Sequence, residues 1–497
     1  MKKLIITTAA VSLLMIILVL GILVLGGEGT MAEKELNTDN SKKSQSLLYK
    51  NPLGITNIGD PFVLKASDGN YYCYPTSWSI GYKAWMSKDL VNWKEIDPVY
   101  TAIDTWSNKD FWAPEVVEYE GKYYMYYTAR WSKNNSLRIG VAVSDSPGGP
   151  FKDVYDHPMF DFGYAAIDAN VFIDDNGKKY LYYSRDCSEN IVDGRHESHI
   201  YGVKLNDDMV SVNGEPVLLT KPDQEWEKLS GDEWRWNEGA FVFKKFGQYY
   251  LMYSANCYAD STYSIGYATA KSPLGPYNKY ENNPILAADL RWDYVSGTGH
   301  NSITVSPDGS EMYIVYHTHT MPGIGGGNRQ INIDKMGFRK DGSIYVNGPT
   351  VTEQLMPAGS IKYGNISNEA KIKASSTKAG YFKETVVDGE ISIHENNIAN
   401  NWVSEENNKE EWLELSWSRK RTISNVMLYK SPLPEHAADE YELKLSTGEV
   451  IRDISFPEEA GGAAIISFDE KKVKSVKIIM KKKSGNVGIS EIVVVGK

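Results

Sequence analysis

Five segments along residues 50–355 carry one pattern, a turn glycine followed by a tyrosine-rich run: DGNYYCYPT, EGKYYMYYTA, NGKKYLYYS, FGQYYLMYS and DGSEMYIVYH. Their glycines are Gly69, Gly121, Gly177, Gly247 and Gly309, spaced 52 to 70 residues apart. A repeat of this length is one supersecondary unit used several times. Short apolar runs (PFVL, PEVV, NVFI, AFVF and SITV) precede the glycines, so each unit holds a β-hairpin. In the second unit IGVAVSDSPGGPF nearly repeats as IGYATAKSPLGPY in the fourth, and AWMSKDLVNW stands at the same place in the first. These add a third strand and its turn. Three or four strands in each of five units match the blades of a β-propeller. Few helical stretches are visible, so an α/β barrel would lack its helices.

Counting back nine residues from each turn glycine gives Asp60, Trp112, Asp168, Glu238 and His300. The first strand of every propeller blade lines the central channel, so equivalent positions converge on one mouth of the axis. A purely structural position keeps one apolar residue type. This one holds titratable groups in four of five copies, which points to a functional pocket. Glycoside cleavage needs an acid that protonates the leaving oxygen and a carboxylate that activates water or attacks carbon. A third carboxylate nearby raises the pKa of the acid. A non-catalytic sugar-binding propeller is the alternative, although a lectin has no need of a proton donor.

The motifs GDPFVL, FWAPEVVEYEGKYYMYY, IDANVFIDDNGKKYLYYS, NEGAFVFKKFGQYYLMYS and GTGHNSITVSPDG, in this order, resemble glycoside hydrolase family 43. The resemblance covers about residues 50–355. It implies an inverting hydrolase of plant cell-wall glycans that contain arabinose or xylose, of the α-L-arabinofuranosidase or arabinanase type, with a β-xylosidase as alternative. By that analogy Asp60 is the general base, Glu238 the general acid, and Asp168 orients the acid and tunes its pKa. His300 matches an axial histidine beside a calcium ion. Arg329, in GNRQINID, matches an arginine that reaches the sugar and the carboxylates, and Trp112 a substrate-binding aromatic; Trp78 is a further candidate. Related fructan-cleaving propellers would carry an N-D-P-N-type motif, whereas Asp60 lies in GDPF. Arg195, His196, Glu197 and His199, in a long insertion after the third hairpin, are candidates for shaping the pocket mouth; their H-E-x-H spacing is not that of a zinc protease.

The flanks bound the rest. Residues 1–27 open with Lys2 and Lys3 before an apolar run from Leu4 to Leu25, the pattern of a signal peptide or membrane anchor. This places the expected protein outside the cell, secreted or anchored, with the membrane touched only through that segment. Residues 28–49 read as a polar linker and 50–357 as the propeller. A net charge of −11 excludes a nucleic-acid partner and fits a neutral oligo- or polysaccharide bound by a monomer. Three cysteines, Cys73, Cys187 and Cys257, read as buried small side chains, with a Cys187–Cys257 bridge as the alternative. Tyrosine thins out after Pro357, and strand-like runs over 358–497 predict a β-sandwich. AKIKASS, VVDGE, NNWVSEE, EEWLELSW and ISEIVVVG resemble a discoidin-like (coagulation factor type C) domain. That resemblance implies a carbohydrate-binding module with Asp388 near a calcium-binding loop, and Trp402 and Trp412 in its core.

Overall fold

The computed structural model describes residues 46–288, 294–393, 400–406, 408–459 and 461–497. The expected signal or anchor over residues 1–27 lies outside the described residues. No described helix is long and apolar enough to cross a membrane. Among the described residues, regular structure is strand with short 3-10 turns.

The five hairpin units are five four-stranded antiparallel arrays. The first contains Gly59–Lys65, Tyr71–Thr76, Gly81–Ser87 and Trp93–Thr101. Ser107–Tyr119, Lys122–Trp131, Leu137–Ser144 and Lys152–Asp153 form the second. The third comprises Ala166–Ile173, Lys179–Arg185, Arg195–Leu205 and Val212–Thr220. The fourth comprises Trp234–Lys245, Gln248–Ala255, Ser264–Ala270 and Asn278–Lys279. Gly299–Val305, Met312–His319, Arg329–Phe338 and Ile344–Val346 make the fifth. The repeat glycines sit in the first turn of each array with φ of 70 to 83°, a conformation that glycine adopts without strain. The first strands touch their neighbours in the closed order first–second–third–fourth–fifth–first.

Tyrosine explains how adjacent arrays are held together. The rings of Tyr74, Tyr126, Tyr182 and Tyr250, all on second strands, are buried. Their hydroxyls donate to carbonyls of the next array: Pro147 at 2.6 Å, Met209 at 2.6 Å, Pro273 at 2.9 Å and Gly342 at 2.9 Å. A tyrosine at this place supplies buried apolar area and satisfies its own polar end. The SPGGP and SPLGP turns noted in the sequence supply two of the acceptors.

The third and fourth arrays are joined. His196, Glu197 and Ser198 pair in parallel with Trp234, Arg235 and Trp236, producing one nine-stranded sheet. The insertion that carries Arg195 to His199 therefore builds a bridge between two units. Leu48–Lys50, whose first two residues fall in the expected linker, pairs with Glu353–Leu355 and ties together the two ends of the region. All three cysteines are free, so the Cys187–Cys257 bridge does not form. Cys73 and Cys187 are buried, as expected for small apolar side chains, and Cys257 is half-buried.

The C-terminal strands form a single eight-stranded sheet, six strands on one hydrogen-bonded path and two pairing beside it. Two separate sheets were expected from the turn-rich gaps. Instead, two long strands, Glu410–Lys430 and Ala464–Lys481, break register between Ser416 and Arg421 and again between Ile423 and Asn425. Such breaks bend a strand and let one path wrap a core. Trp402, Val426, Leu428, Ile492 and Val494 lie in that core. The alternate residues Met427, Tyr429, Val493 and Val495 face the opposite way, against Leu48 and Leu355. The unbroken apolar run IVVV is thus a strand buried on both faces. Arg339 Nε donates to Glu390 at 3.0 Å, and Tyr429 Oη donates to Gln354 at 3.3 Å across the same contact. Trp402 is fully buried, whereas Trp412 is half-buried beneath Lys477 Nζ, 3.9 Å from its ring centroid.

Candidate active site

Each first strand is broken by a bulge near its start. Register shifts fall between Gly59 and Phe62, Trp112 and Glu115, Ile167 and Asn170, Glu238 and Phe241, and Gly299 and Ser302. Inside each bulge one residue has left-handed φ: Asp60 51°, Ala113 41°, Asp168 57°, Gly239 61° and His300 49°. These five are the structural equivalents. Counting nine residues back from the turn glycine finds three of them but lands one residue early, on Trp112 and Glu238, in the other two. The reason is hairpin length. Tyr119 pairs with Lys122 and Lys245 with Gln248 across two-residue turns, whereas Lys65 pairs with Tyr71 across a longer one. Glu238 is thus equivalent to Gly59, Trp112, Ile167 and Gly299, and it approaches the pocket from a different strand position than Asp60 and Asp168.

The bulge N–H groups explain how the arrays are locked around the pocket. Ala113 N–H donates to Thr76 Oγ1 at 2.7 Å, Asp168 N–H to Thr128 Oγ1 at 3.0 Å, and His300 N–H to Ser254 Oγ at 2.8 Å. Asp60 N–H closes the cycle on His317 Nδ1 at 3.1 Å. Every acceptor belongs to the second strand of the preceding array. The fourth link differs: Gly239 N–H donates to Asp168 Oδ2 at 3.3 Å, and Ser184 Oγ, the expected acceptor, has no partner. One catalytic candidate is thereby fastened to the backbone beside another.

A cavity of about 320 Å³ opens over these bulges. Asp60, Trp112, Asp168, Glu238, His300 and Arg329 all line it. Trp78 is not among its lining residues; it is bridged to Gly81 in the turn after Thr76. Asp186, Trp236 and Tyr258 also line the cavity and were not singled out from the sequence. Nor was Thr76, which donates to Asp60 Oδ2 at 2.6 Å. The second-strand residues did carry a signal: Thr76, Thr128, Ser184 and Ser254 each stand seven residues after a turn glycine.

The carboxylates sit in contrasting fields. Burial alone would raise the Asp60 carboxyl, but Arg329 Nη1 at 2.7 Å, the nearby His300 and His317, and the Thr76 hydroxyl outweigh it and hold Asp60 well below the usual carboxylate range. Burial and the charge of Asp168 push Glu238 well above that range, while Tyr263 Oη donates to its Oε1 at 2.9 Å. Asp168 is pushed up to about 6, chiefly by burial. Burial and the Arg329 charge keep His317 neutral. Because its Nδ1 accepts the Asp60 N–H, its Nε2 carries the proton and cannot ligate a metal. His300 Nδ1 faces Asp60 Oδ1 at 3.4 Å. No group of three or more His, Cys, Asp and Glu side chains among the described residues is placed to hold a metal ion. The site does not fit a calcium ligated directly by side chains.

Arg195, His196, Glu197 and His199 lie outside the cavity. Glu197 is buried between Arg195 Nη1 at 3.1 Å and His199 Nε2 at 2.8 Å. His196 stacks on Trp234, with centroids 3.9 Å apart. They fix the outer end of the strand that carries Glu238.

Two acidic groups in one cavity, one held ionised and the other held protonated, are the equipment of acid–base hydrolysis. Residues 49–344 match the family model described as glycosyl hydrolases family 43, and residues 365–495 match a domain of unknown function (DUF7402). The chain is 30% identical to the beta-D-galactofuranosidase xynD of Aspergillus niger, over 56% of its own length and 78% of that protein's. It is 32% identical to a xylosidase/arabinosidase 43A of Humicola insolens, over 49% and 77%. A crystal structure described as a thermostable family-43 glycoside hydrolase superposes with a TM-score of 0.60 at 50% identity, covering 63% of this chain and 99% of that one. The fold, the contrasting carboxylates and the match over most of the chain lead to one conclusion: this protein belongs to glycosyl hydrolases family 43 and is a glycoside hydrolase.

Proposed function

We propose that the protein is an inverting hydrolase of α-L-arabinofuranosyl linkages in plant cell-wall glycans, and that the five arrays are the blades of a propeller around its active site. The closed order of first-strand contacts and the cycle of bulge hydrogen bonds support the propeller. The observation that carries the function is the division of the carboxylates. Asp60, ionised against Arg329, serves as general base and takes a proton from water as its oxygen attacks the anomeric carbon. Glu238, protonated beside Tyr263, gives its proton to the departing glycosidic oxygen. Asp168 stays close to both, orients the acid and, by its charge, keeps Glu238 protonated. Trp112 and Arg329 border the bound sugar.

Similarity to proteins named for arabinofuranosidase and galactofuranosidase activity favours a five-membered sugar ring. Relatives named xylosidase/arabinosidase support β-xyloside cleavage as the second reading. A calcium ion at His300 would have to be held through water, and no step of this reaction passes through it. The C-terminal region is proposed as a discoidin-like carbohydrate-binding module, on the motifs it carries, and the N-terminal segment as the means of export. Comparing kcat/KM for 4-nitrophenyl α-L-arabinofuranoside and β-D-xyloside tests the specificity. The arabinofuranoside is expected to be the better substrate; the reverse order would replace the first reading with the second.

A further inference from the structure

The strand Trp234–Lys245 enters the cavity from outside, and its residues pass from exposed through half-buried to buried by Asn237. Side chains of a strand alternate, so Trp234, Trp236 and Glu238 share one face. Their spacing along the backbone is about 6.6 Å per pair of residues, comparable to one sugar ring. Trp236 lines the cavity beside Glu238. Residue Trp234 is 38% exposed, and its ring lies nearly parallel to that of Trp236, with centroids 6.2 Å apart and planes 18° apart. The pair leaves apolar ring surface in contact with water beside the cavity, and an exposed aromatic patch in that place marks a binding surface.

The outer ring is also held rigid. His196 covers one face of Trp234 at an interplanar angle of 10°, and His196 Nδ1 is itself within 2.8 Å of the Cys187 carbonyl. The His196 N–H donates to the Glu233 carbonyl at 2.9 Å, and Arg195 Nε donates to the Asp232 carbonyl at 2.7 Å. The parallel bridge to Ser198 fixes the rest of the segment. A ring immobilised before its ligand arrives loses little entropy on binding.

We infer that Trp236 and Trp234 form two successive binding positions for the leaving-group side of a glycan chain. This rests on the reading of Glu238 as the general acid. The acid protonates the oxygen that departs with the leaving group, so the face running outward from Glu238 is the side on which that part of the chain lies. Indole rings stack on the apolar faces of sugars, and two of them one sugar apart suit a linear oligosaccharide. The structural reason for the insertion at residues 186–199 is then to stiffen this platform.

The test compares wild type, Trp234→Ala and Trp234→Phe on three substrates: the 4-nitrophenyl glycoside, the disaccharide and the trisaccharide of the sugar that the wild type cleaves. Wild-type kcat/KM rises from disaccharide to trisaccharide. Trp234→Ala lowers the trisaccharide value by about tenfold, the worth of one aromatic stacking contact. It leaves the aryl glycoside unchanged, and Trp234→Phe restores most of the loss. An equal loss on the aryl glycoside and the trisaccharide, or no loss on the trisaccharide, overturns the inference. Glu238→Ala, assayed in parallel, separates the two claims. If it cleaves the activated aryl glycoside but not the trisaccharide, the acid reading stands whatever Trp234→Ala does. If it loses both equally, the acid reading falls first.

Discussion

Replacing Arg329 with methionine removes the guanidinium that contacts the Asp60 carboxylate at 2.7 Å. Both side chains are nearly buried, at 10% and 12% exposure. With charge centres about 4 Å apart and an effective dielectric constant of about 20, the lost attraction is about 4 kcal/mol. His300, His317 and the Thr76 hydroxyl remain and keep part of the stabilisation. The pH at which Asp60 takes up a proton should therefore rise by about 1–3 pH units, the usual effect of a neighbouring guanidinium. A base must be ionised, so the acid limb of kcat/KM against pH moves to higher pH in the variant. The assay uses an aryl glycoside with an acidic leaving group, so that Glu238 does not control the rate. Melting temperature provides a control: breaking a buried pair costs about 3 kcal/mol, and the loss should shrink at low pH, where Asp60 is protonated. An acid limb that stays in place, with activity merely scaled down, would refute the assignment of Asp60 as a base poised by Arg329.

Glu238→Ala should abolish cleavage of natural glycosides while sparing aryl glycosides with acidic leaving groups, because protonation then contributes little; equal loss on both would remove Glu238 from the acid role. Stability should also respond to pH. Burial raises Asp168 to about 6 and Asp334 to about 7. Both bind protons more tightly folded than unfolded, so their contribution is fully present below about pH 4 and is lost as pH rises through 6 and 7. Their share, read as the difference in melting temperature between wild type and Asp334→Asn, should therefore fall between pH 5 and pH 8, and a rise of that difference over the window in calorimetry would contradict the burial of Asp334.

Much of the site could be read from the repeat. The turn glycines located all five hairpins, and counting back from them reached Asp60, Asp168 and His300 directly. Glu238 and Trp112 were reached with the wrong equivalence, because with two-residue turns the run from bulge to glycine is one residue shorter in the second and fourth hairpins. The cavity forgave the error, since both side chains still line it. Asp186, Tyr258 and Trp236 were missed because they stand where the repeat does not constrain them. Trp78 stands outside the cavity lining, in the tight turn closed by its backbone bridge to Gly81. In the C-terminal region, alternation identified the strands. It could not say that two of them would run through register breaks into a single sheet, because a bulge depends on the partner strand as much as on local sequence.

The central claim is that a water activated by Asp60 displaces a leaving group protonated by Glu238 in one step. Proton NMR of the sugar released in the first moments of hydrolysis, before it mutarotates, tests this directly. The account predicts that the first-formed anomer is inverted relative to the substrate. Retention of configuration would mean a covalent intermediate, with a carboxylate attacking carbon, and would contradict the role given to Asp60.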